Sequence, residues 1–324
     1  MQFGILQFFS WPDRRVALPT VYERALQRIE VMDQTGYDAV WLTEHHFNDY
    51  SVCPTIPVMG AFAAARTKKL RIGTGVTLAA LYHPLRLAEE IALLDILSGG
   101  RVNWGAGRGF DLREFRVFGV PAQESQAHFR EAVDIVLHAW RNQRLTYHGQ
   151  FFSFEDIEVL PKPLQQPHPP MWVAAGSHEA LRWAATQGYS ILMDPHATHT
   201  ETGEHWEFYR RELENHCHSI QGRRIPIARL LAIAPTDAEA AEVARDGAKW
   251  LLRTYVNPQG TRSDEDLLQR YVDSVVIHGT PDRVADQIAR LHEEIHLDYM
   301  IGAPLSHQTF LSFTDHVLPK LIGI

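Results

Sequence analysis

The feature that most constrains this chain is its regular alternation of short apolar runs with longer amphipathic stretches. A run of about four to eight apolar residues suits a strand buried on both faces, whereas apolar positions recurring every three and four residues mark a helix that buries one side. Residues 3–8, 39–42, 70–78, 102–106, 171–175, 190–193, 225–233 and 299–301 read as strands. Residues 22–34, 57–66, 87–97, 129–140, 178–186, 204–216, 237–252 and 309–321 read as helices, and Thr280-Pro281 opens another. Threonine caps a helix start and proline suits its first position, while Gly36 closes the first helix as glycine does past a last turn. Strands joined by helical crossovers run parallel, and eight of them favour a closed (β/α)8 TIM barrel over an open doubly wound sheet. No Pro- or Ser-rich linker interrupts the alternation, so residues 1–324 read as one domain. Gly149 divides two β-prone runs within residues 147–160, a hairpin inserted on the rim. Residues 257–273 are polar and poorly periodic and read as a rim loop.

Composition enters as exclusion. With 45% hydrophobic and 22% charged residues, the chain has apolar mass for a large core. A net charge of −8 with scattered acids disfavours nucleic acid or an anionic membrane as partner. No apolar run approaches the ~18–20 residues that a membrane span needs. The first residues carry no basic start or cleavage site and already read as a strand. Cys53 and Cys217 alone make neither a disulfide framework nor a cysteine zinc site, so a cytoplasmic location is expected.

In such a barrel the active site lies where strands end, which selects polar residues just past a strand. Glu44-His45-His46 follows residues 39–42, and a histidine there has the pKa of a general acid or base. The plain alternative is that one histidine packs and the other is solvated. A shared metal is disfavoured, because neighbouring strand residues point to opposite faces. His196/His199 and His216/His218 have only loosely metal-like spacing, and no metal is expected. Gly73-Thr74-Gly75-Val76 marks a bulge or a close approach of ligand to backbone. Gly105-Ala106-Gly107-Arg108-Gly109-Phe110 fails as a dinucleotide fingerprint, since Phe110 stands where the third glycine belongs. It leaves a flexible strand end with an arginine suited to an anion. Ala175-Gly176-Ser177 precedes a helix whose unpaired N–H groups suit a phosphate, or simply a serine cap. A planar cofactor bearing a phosphate would use all of these.

Trp41-Leu42-Thr43-Glu44-His45-His46-Phe47 resembles the W-x-x-E-H-H-F segment of bacterial luciferase and related flavin-dependent monooxygenases. The likeness continues through Gly73-Thr74-Gly75, His83-Pro84-Leu85-Arg86, Leu94-Asp95-Ile96-Leu97-Ser98-Gly99-Gly100-Arg101, Gly107-Arg108-Gly109 and Phe115-Arg116-Val117-Phe118-Gly119. It reaches Val173-Ala174-Ala175-Gly176-Ser177, and the last third matches more loosely through Gly279-Thr280-Pro281 and the final helix. The resemblance implies a luciferase-like barrel that takes reduced FMN from a separate flavin reductase. With dioxygen it would oxidise a small organic substrate through a C4a-(hydro)peroxyflavin. A homodimer or larger homo-oligomer is implied as well. His45 matches the catalytic histidine, with Glu44 beside it to orient or charge-tune it. Gly75 and Val76 match a pair whose cis peptide supports the flavin ring. Arg108 matches a phosphate-contacting arginine, and Ala175, Gly176 and Ser177 the phosphate-binding turn. Phe8, Trp11, Phe47 and Phe110, aromatics near strand ends, are candidates for an apolar substrate pocket.

The chain also departs from the luciferase α chain. Gln126 replaces a second phosphate-contacting arginine, Gly107 a reactive cysteine and Ala180 a hydroxyl residue, and residues 257–273 are shorter than its long mobile loop. These departures put light emission in doubt. Three other readings compete. One is F420-dependent hydride transfer on the same barrel, which the Glu44-His45-His46 match disfavours. The others are a metal-dependent hydrolase, which lacks a His-x-His strand pattern, and a flavin-binding protein without catalysis.

Overall fold

The computed structural model describes residues 1–256 and 265–322. Its twelve strands are β1 (Gln2–Gln7), β2 (Ala39–Leu42), β3 (Arg71–Thr74), β4 (Thr77–Leu78), β5 (Val102–Gly107), β6 (Leu145–His148), β7 (Ser153–Ile157), β8 (Met171–Ala174), β9 (Ser190–Leu192), β10 (Pro226–Ile233), β11 (Val276–Gly279) and β12 (Tyr299–Pro304). All but β6 and β7 belong to one parallel sheet in the order β11-β10-β12-β1-β2-β3-β5-β8-β9, with β4 paired to β5. Helices cover the outside of this curled sheet, which is of the TIM-barrel class. An isolated parallel bridge joins Met193, just past β9, to Ile227 in β10. There Met193 N donates to Pro226 O at 2.9 Å, and Ala228 N donates to Met193 O at 2.9 Å.

The strands are apolar on both faces because both are covered. Leu6, Trp41, Trp172, Leu192, Leu230 and Tyr299 pack with one another inside the curl. Ile5, Val40, Ile72, Val173, Ile191 and Leu231 pack outward against helix residues such as Ile29, Ile91, Val133 and Leu181. Alternate residues of a strand point to opposite faces, so this division tells which side each later residue takes.

Several boundaries differ from expectation. The run at residues 70–78 is two short strands, because Gly75 and Val76 leave the ladder between β3 and β4. Glu265–Ser274 is a helix where a rim loop was expected: Leu268, Tyr271 and Val272 bury one side, a pattern hidden by the charged residues between them. Residues 257–264 lie outside the described residues. β11 was not anticipated, since four residues directly after a helix carry too little pattern to register. The rim hairpin forms as antiparallel β6 and β7. Its turn is held by the Glu131 carboxylate, which accepts from the backbone N–H groups of Gln150, Phe151 and Phe152.

Candidate active site

The inward faces of β3 and β5 carry almost no side chains next to the turn between β3 and β4. A Cβ at Gly105 would stand 2.1 Å from Thr74 O, and one at Gly107 would stand 2.3 Å from Val76 Cγ2. A Cβ at Gly73 would lie 2.5 Å from the Trp41 ring. The glycines therefore let Val76 and the Trp41 indole settle directly onto backbone. The Gly75–Val76 peptide is cis, as the resemblance implied. Gly75 N donates to Leu42 O at 2.7 Å. Thr74 Oγ1 accepts from Gly105 N at 2.7 Å and donates to Gly105 O at 2.6 Å, tying the two strand ends together. The result is a backbone-lined shelf, which fits a flat ring better than a bulky side chain would allow.

His45 continues the inward alternation of Ala39 and Trp41, and is 8% exposed. Its ring is parallel to that of Phe8 at 6.4 Å and edge-on to Phe110 at 6.1 Å. Tyr50 Oη lies 2.7 Å from His45 Nδ1, and Glu114 Oε1 lies 4.0 Å from the same nitrogen. Burial drives the imidazole pKa down to about 3, helped by the neighbouring His46 and His196, so His45 is neutral at ordinary pH. The same burial pushes the Glu114 carboxyl up to about 7. Glu114 sits in the short helix Leu112–Phe118, started by Asp111 accepting from Arg113 N and ended by Gly119 with φ of 75°. Its Oε1 accepts from His46 N at 2.8 Å.

Glu44 takes the other face. Its carboxylate is 1% exposed, accepts from Tyr82 Oη at 3.0 Å and lies 3.4 Å from His46 Nε2. Burial raises its pKa while these contacts oppose the rise. Of the proposed aromatic pocket, Phe8 and Phe110 lie at His45. Phe47 instead stands half-exposed on the rim against His46 and Phe118. Trp11 donates its indole N–H to Val16 O at 2.7 Å and lies under Arg14. Sequence reasoning passed over Tyr50, Tyr82 and Glu114. Glu114 had a signal, since it follows closely on the Arg108–Phe110 strand end, whereas Tyr50 and Tyr82 sit in loops without pattern.

At the other side of the mouth, Ser177 caps the helix His178–Thr186 and accepts from Ala180 N at 3.3 Å. Ala175 is buried, while Gly176 and Ser177 are exposed. Gly176 lies against Asp194, whose Oδ2 would be 2.7 Å from a Cβ there. Arg108 is half-buried; its Nη1 donates to Ser125 Oγ at 3.3 Å and its guanidinium stands 5.9 Å from the Phe115 ring centre. Helix-start N–H groups with an arginine in this region suit a phosphate, and the shelf suits a ring. Among the described residues, no group of three or more His, Cys, Asp and Glu is arranged to hold a metal ion. No helix of the described residues is long and apolar enough to cross a membrane.

Comparison with known proteins points the same way. An uncharacterized protein of Sinorhizobium fredii, y4wF, is 38% identical over 175 residues, covering 54% of this chain and 51% of its own. The oxygenase component of a flavin-dependent trigonelline monooxygenase from Acinetobacter baylyi is 30% identical over 197 residues, 60% of this chain and 54% of its own. The chain thus spans about half the length of these curated relatives. The crystal structure of monooxygenase RslO1 from Streptomyces bottropensis superposes with a TM-score of 0.87 at 27% identity, covering 99% of each chain. The luciferase-like monooxygenase model matches residues 1–296, nearly the whole chain, which therefore belongs to the luciferase-like monooxygenase family.

Proposed function

We propose that this chain is the oxygenating component of a two-component flavin-dependent monooxygenase, taking reduced FMN from a separate flavin reductase and using dioxygen to oxidise a small organic substrate. The observation that carries the reading is His45, a buried imidazole three residues past the end of β2, the strand whose Leu42 O accepts from Gly75 N at the Gly75–Val76 shelf. The relative that is the oxygenase component of a flavin-dependent monooxygenase supports the division of labour. Bound reduced FMN would supply the electrons that activate dioxygen.

The rest falls to the chain. Gly75, Val76 and the bare backbone of Gly105 and Gly107 would seat the ring. Arg108 and the Ala175-Gly176-Ser177 turn would hold the phosphate, through charge and helix-start N–H groups. Phe8 and Phe110 keep water from the imidazole. With Tyr50 Oη donating to Nδ1, the proton of His45 sits on Nε2, the atom then set to give or take a proton. Glu114, with a pKa near 7, exchanges protons at working pH behind it. Glu44 acts as a positioning residue through His46 and Tyr82.

An anaerobic titration tests the reading. Reduced FMN should bind, and admitting oxygen with a small organic substrate should give oxygenated product. Binding of F420 in place of FMN, with hydride transfer and no need for oxygen, would sink it.

The reading also takes residues 1–324 as one closed (β/α)8 barrel, supported by the Met193–Ile227 bridge. A homodimer is supported by exposed Val58, Phe62, Leu93, Ile96 and Leu97 on two neighbouring helices. Light scattering on the purified chain should give twice the monomer mass; a monomer at micromolar concentration would refute this. A cytoplasmic location agrees with the unbonded Cys53 and Cys217.

A further inference from the structure

His45 follows the end of a strand; the opposite end of the parallel sheet, where the strands begin, carries a second cavity of about 450 Å³. It is lined by Arg71, Met171 and Ser190, the first residues of β3, β8 and β9, by Trp172, and by Arg223 and Arg224 shortly before β10. Along the sheet β3 and β10 stand four strand steps apart (β3-β2-β1-β12-β10), so the arginines come from well-separated strands. Among the described residues the lining holds three arginines and no carboxylate, in a chain of net charge −8. Arg71 donates to Asn103 Oδ1 at 2.7 Å, Val102 O at 2.8 Å and Gln165 Oε1 at 3.1 Å. These bonds use Nε and Nη2, which leaves Nη1 for a ligand. Arg223 donates to Ser219 O at 2.6 Å and Gly188 O at 2.8 Å. All these acceptors are neutral, so they fix each guanidinium without cancelling its charge. Burial, the largest influence, keeps the Arg71 pKa below its ordinary value despite nearby Asp38. Arg224 Nη1 lies 3.8 Å from Asp38 Oδ1, beyond hydrogen-bond reach, and Asp38 also accepts from Tyr299 Oη at 2.8 Å. Met171 and Trp172 add apolar surface, the indole held by its N–H donating to Arg224 O at 2.7 Å.

We propose that this cavity binds a small organic dianion, such as a short dicarboxylate, with its charges on the three guanidiniums and its carbon skeleton against Met171 and Trp172. A guanidinium fork pairs with a carboxylate through two parallel hydrogen bonds, and the gain is greatest where no carboxylate of the protein already answers the charge. The cavity is larger than one inorganic phosphate fills, and its apolar wall rewards carbon. Asp38 is the occupant's competitor for Arg224. The site lies at the far end of the strands from His45 and does not rest on the flavin reading.

Isothermal titration at fixed ionic strength tests the site, with succinate, citrate, acetate and inorganic phosphate added to the full wild-type chain, R224M, R224K and D38N. Succinate should saturate one site per chain with a dissociation constant of about 0.1–1 mM, and acetate and phosphate should bind about tenfold more weakly. R224M should weaken succinate about tenfold and R224K about threefold, since lysine keeps the charge but loses the fork. D38N should tighten succinate about threefold, because the competing charge is gone while Tyr299 keeps an acceptor. A purely structural role for Arg224 and Asp38 predicts no such gain. If neither succinate nor citrate binds saturably, the inference falls. Unchanged succinate affinity in R224M would also overturn it, by placing the binding elsewhere. Phosphate that binds as tightly as succinate would overturn the assignment to an organic dianion.

Discussion

Around His45 the ionisable groups are buried and their charges are suppressed, with the imidazole pushed to about 3 and the Glu114 carboxyl to about 7. Around Ser177 the charged groups stand partly in water: Arg108 is half-buried, and Arg130 pairs with Glu179 at 2.7 Å. In the proposed function, one side of the mouth would work by burial, which fixes a proton on a chosen atom. The other would work by charge, which tolerates exposure but weakens with salt. The contrast suits a ligand whose reacting ring must be kept dry and whose tail must be caught from solution.

The sharpest way to break the contrast is at the dry side. H45A should lower oxygenating turnover about 10²–10⁴-fold, measured as product formed from photoreduced FMN, with flavin binding spared. Full turnover in H45A would remove the histidine from the mechanism. Next comes the shelf: G107A forces a Cβ against Val76, 2.3 Å from Cγ2. It should cost about 1–3 kcal/mol in urea unfolding and weaken both flavins together, since it disturbs the ring seat. If G107A weakens FMN but spares riboflavin, the ring seat lies elsewhere.

At the wet side R108A should raise the FMN dissociation constant about tenfold, leave riboflavin unchanged and lose its effect in high salt. A loss that ignores salt would place Arg108 on the dry side instead.

The smallest effect separates two buried groups of opposite sign. Glu114 has its pKa raised from 4.5 to about 7, so the stability from its bound proton is full below 4.5 and is lost as pH rises through about 7. His45 has its pKa lowered from 6.5 to about 3, so its contribution is present above 6.5 and lost as pH falls toward 3. E114Q should therefore change turnover only about threefold near neutrality and flatten the limb of the pH–rate profile close to pH 7. A limb that persists in E114Q belongs to another group.

The fold was legible because its signal repeats. Strands such as Ala39–Leu42 and Val102–Gly107 are buried at every position, and that reads directly as apolar runs. The helix at Glu265–Ser274 escaped because its three buried residues are scattered among acids and glutamine. Within the site, His45, Gly75 and Ser177 could be named from strand ends and motif. Glu114 had only its place shortly after a strand end, and Tyr50 comes from a loop with nothing in local spacing to announce it.

The sequence by itself determined the alternation of elements, the glycine-poor helices around glycine-rich strand ends, and the family to which the motifs belong. These depend on period and residue type, which neighbours along the chain carry. Only the tertiary structure decided that His45 turns inward beside Tyr50 and Glu114 while Glu44 turns outward to Tyr82 and His46. It also decided that Arg130 meets Glu179 from another helix. Burial and charge pairing, which set what these groups can do, arise from residues far apart in sequence and exist only once the sheet has curled.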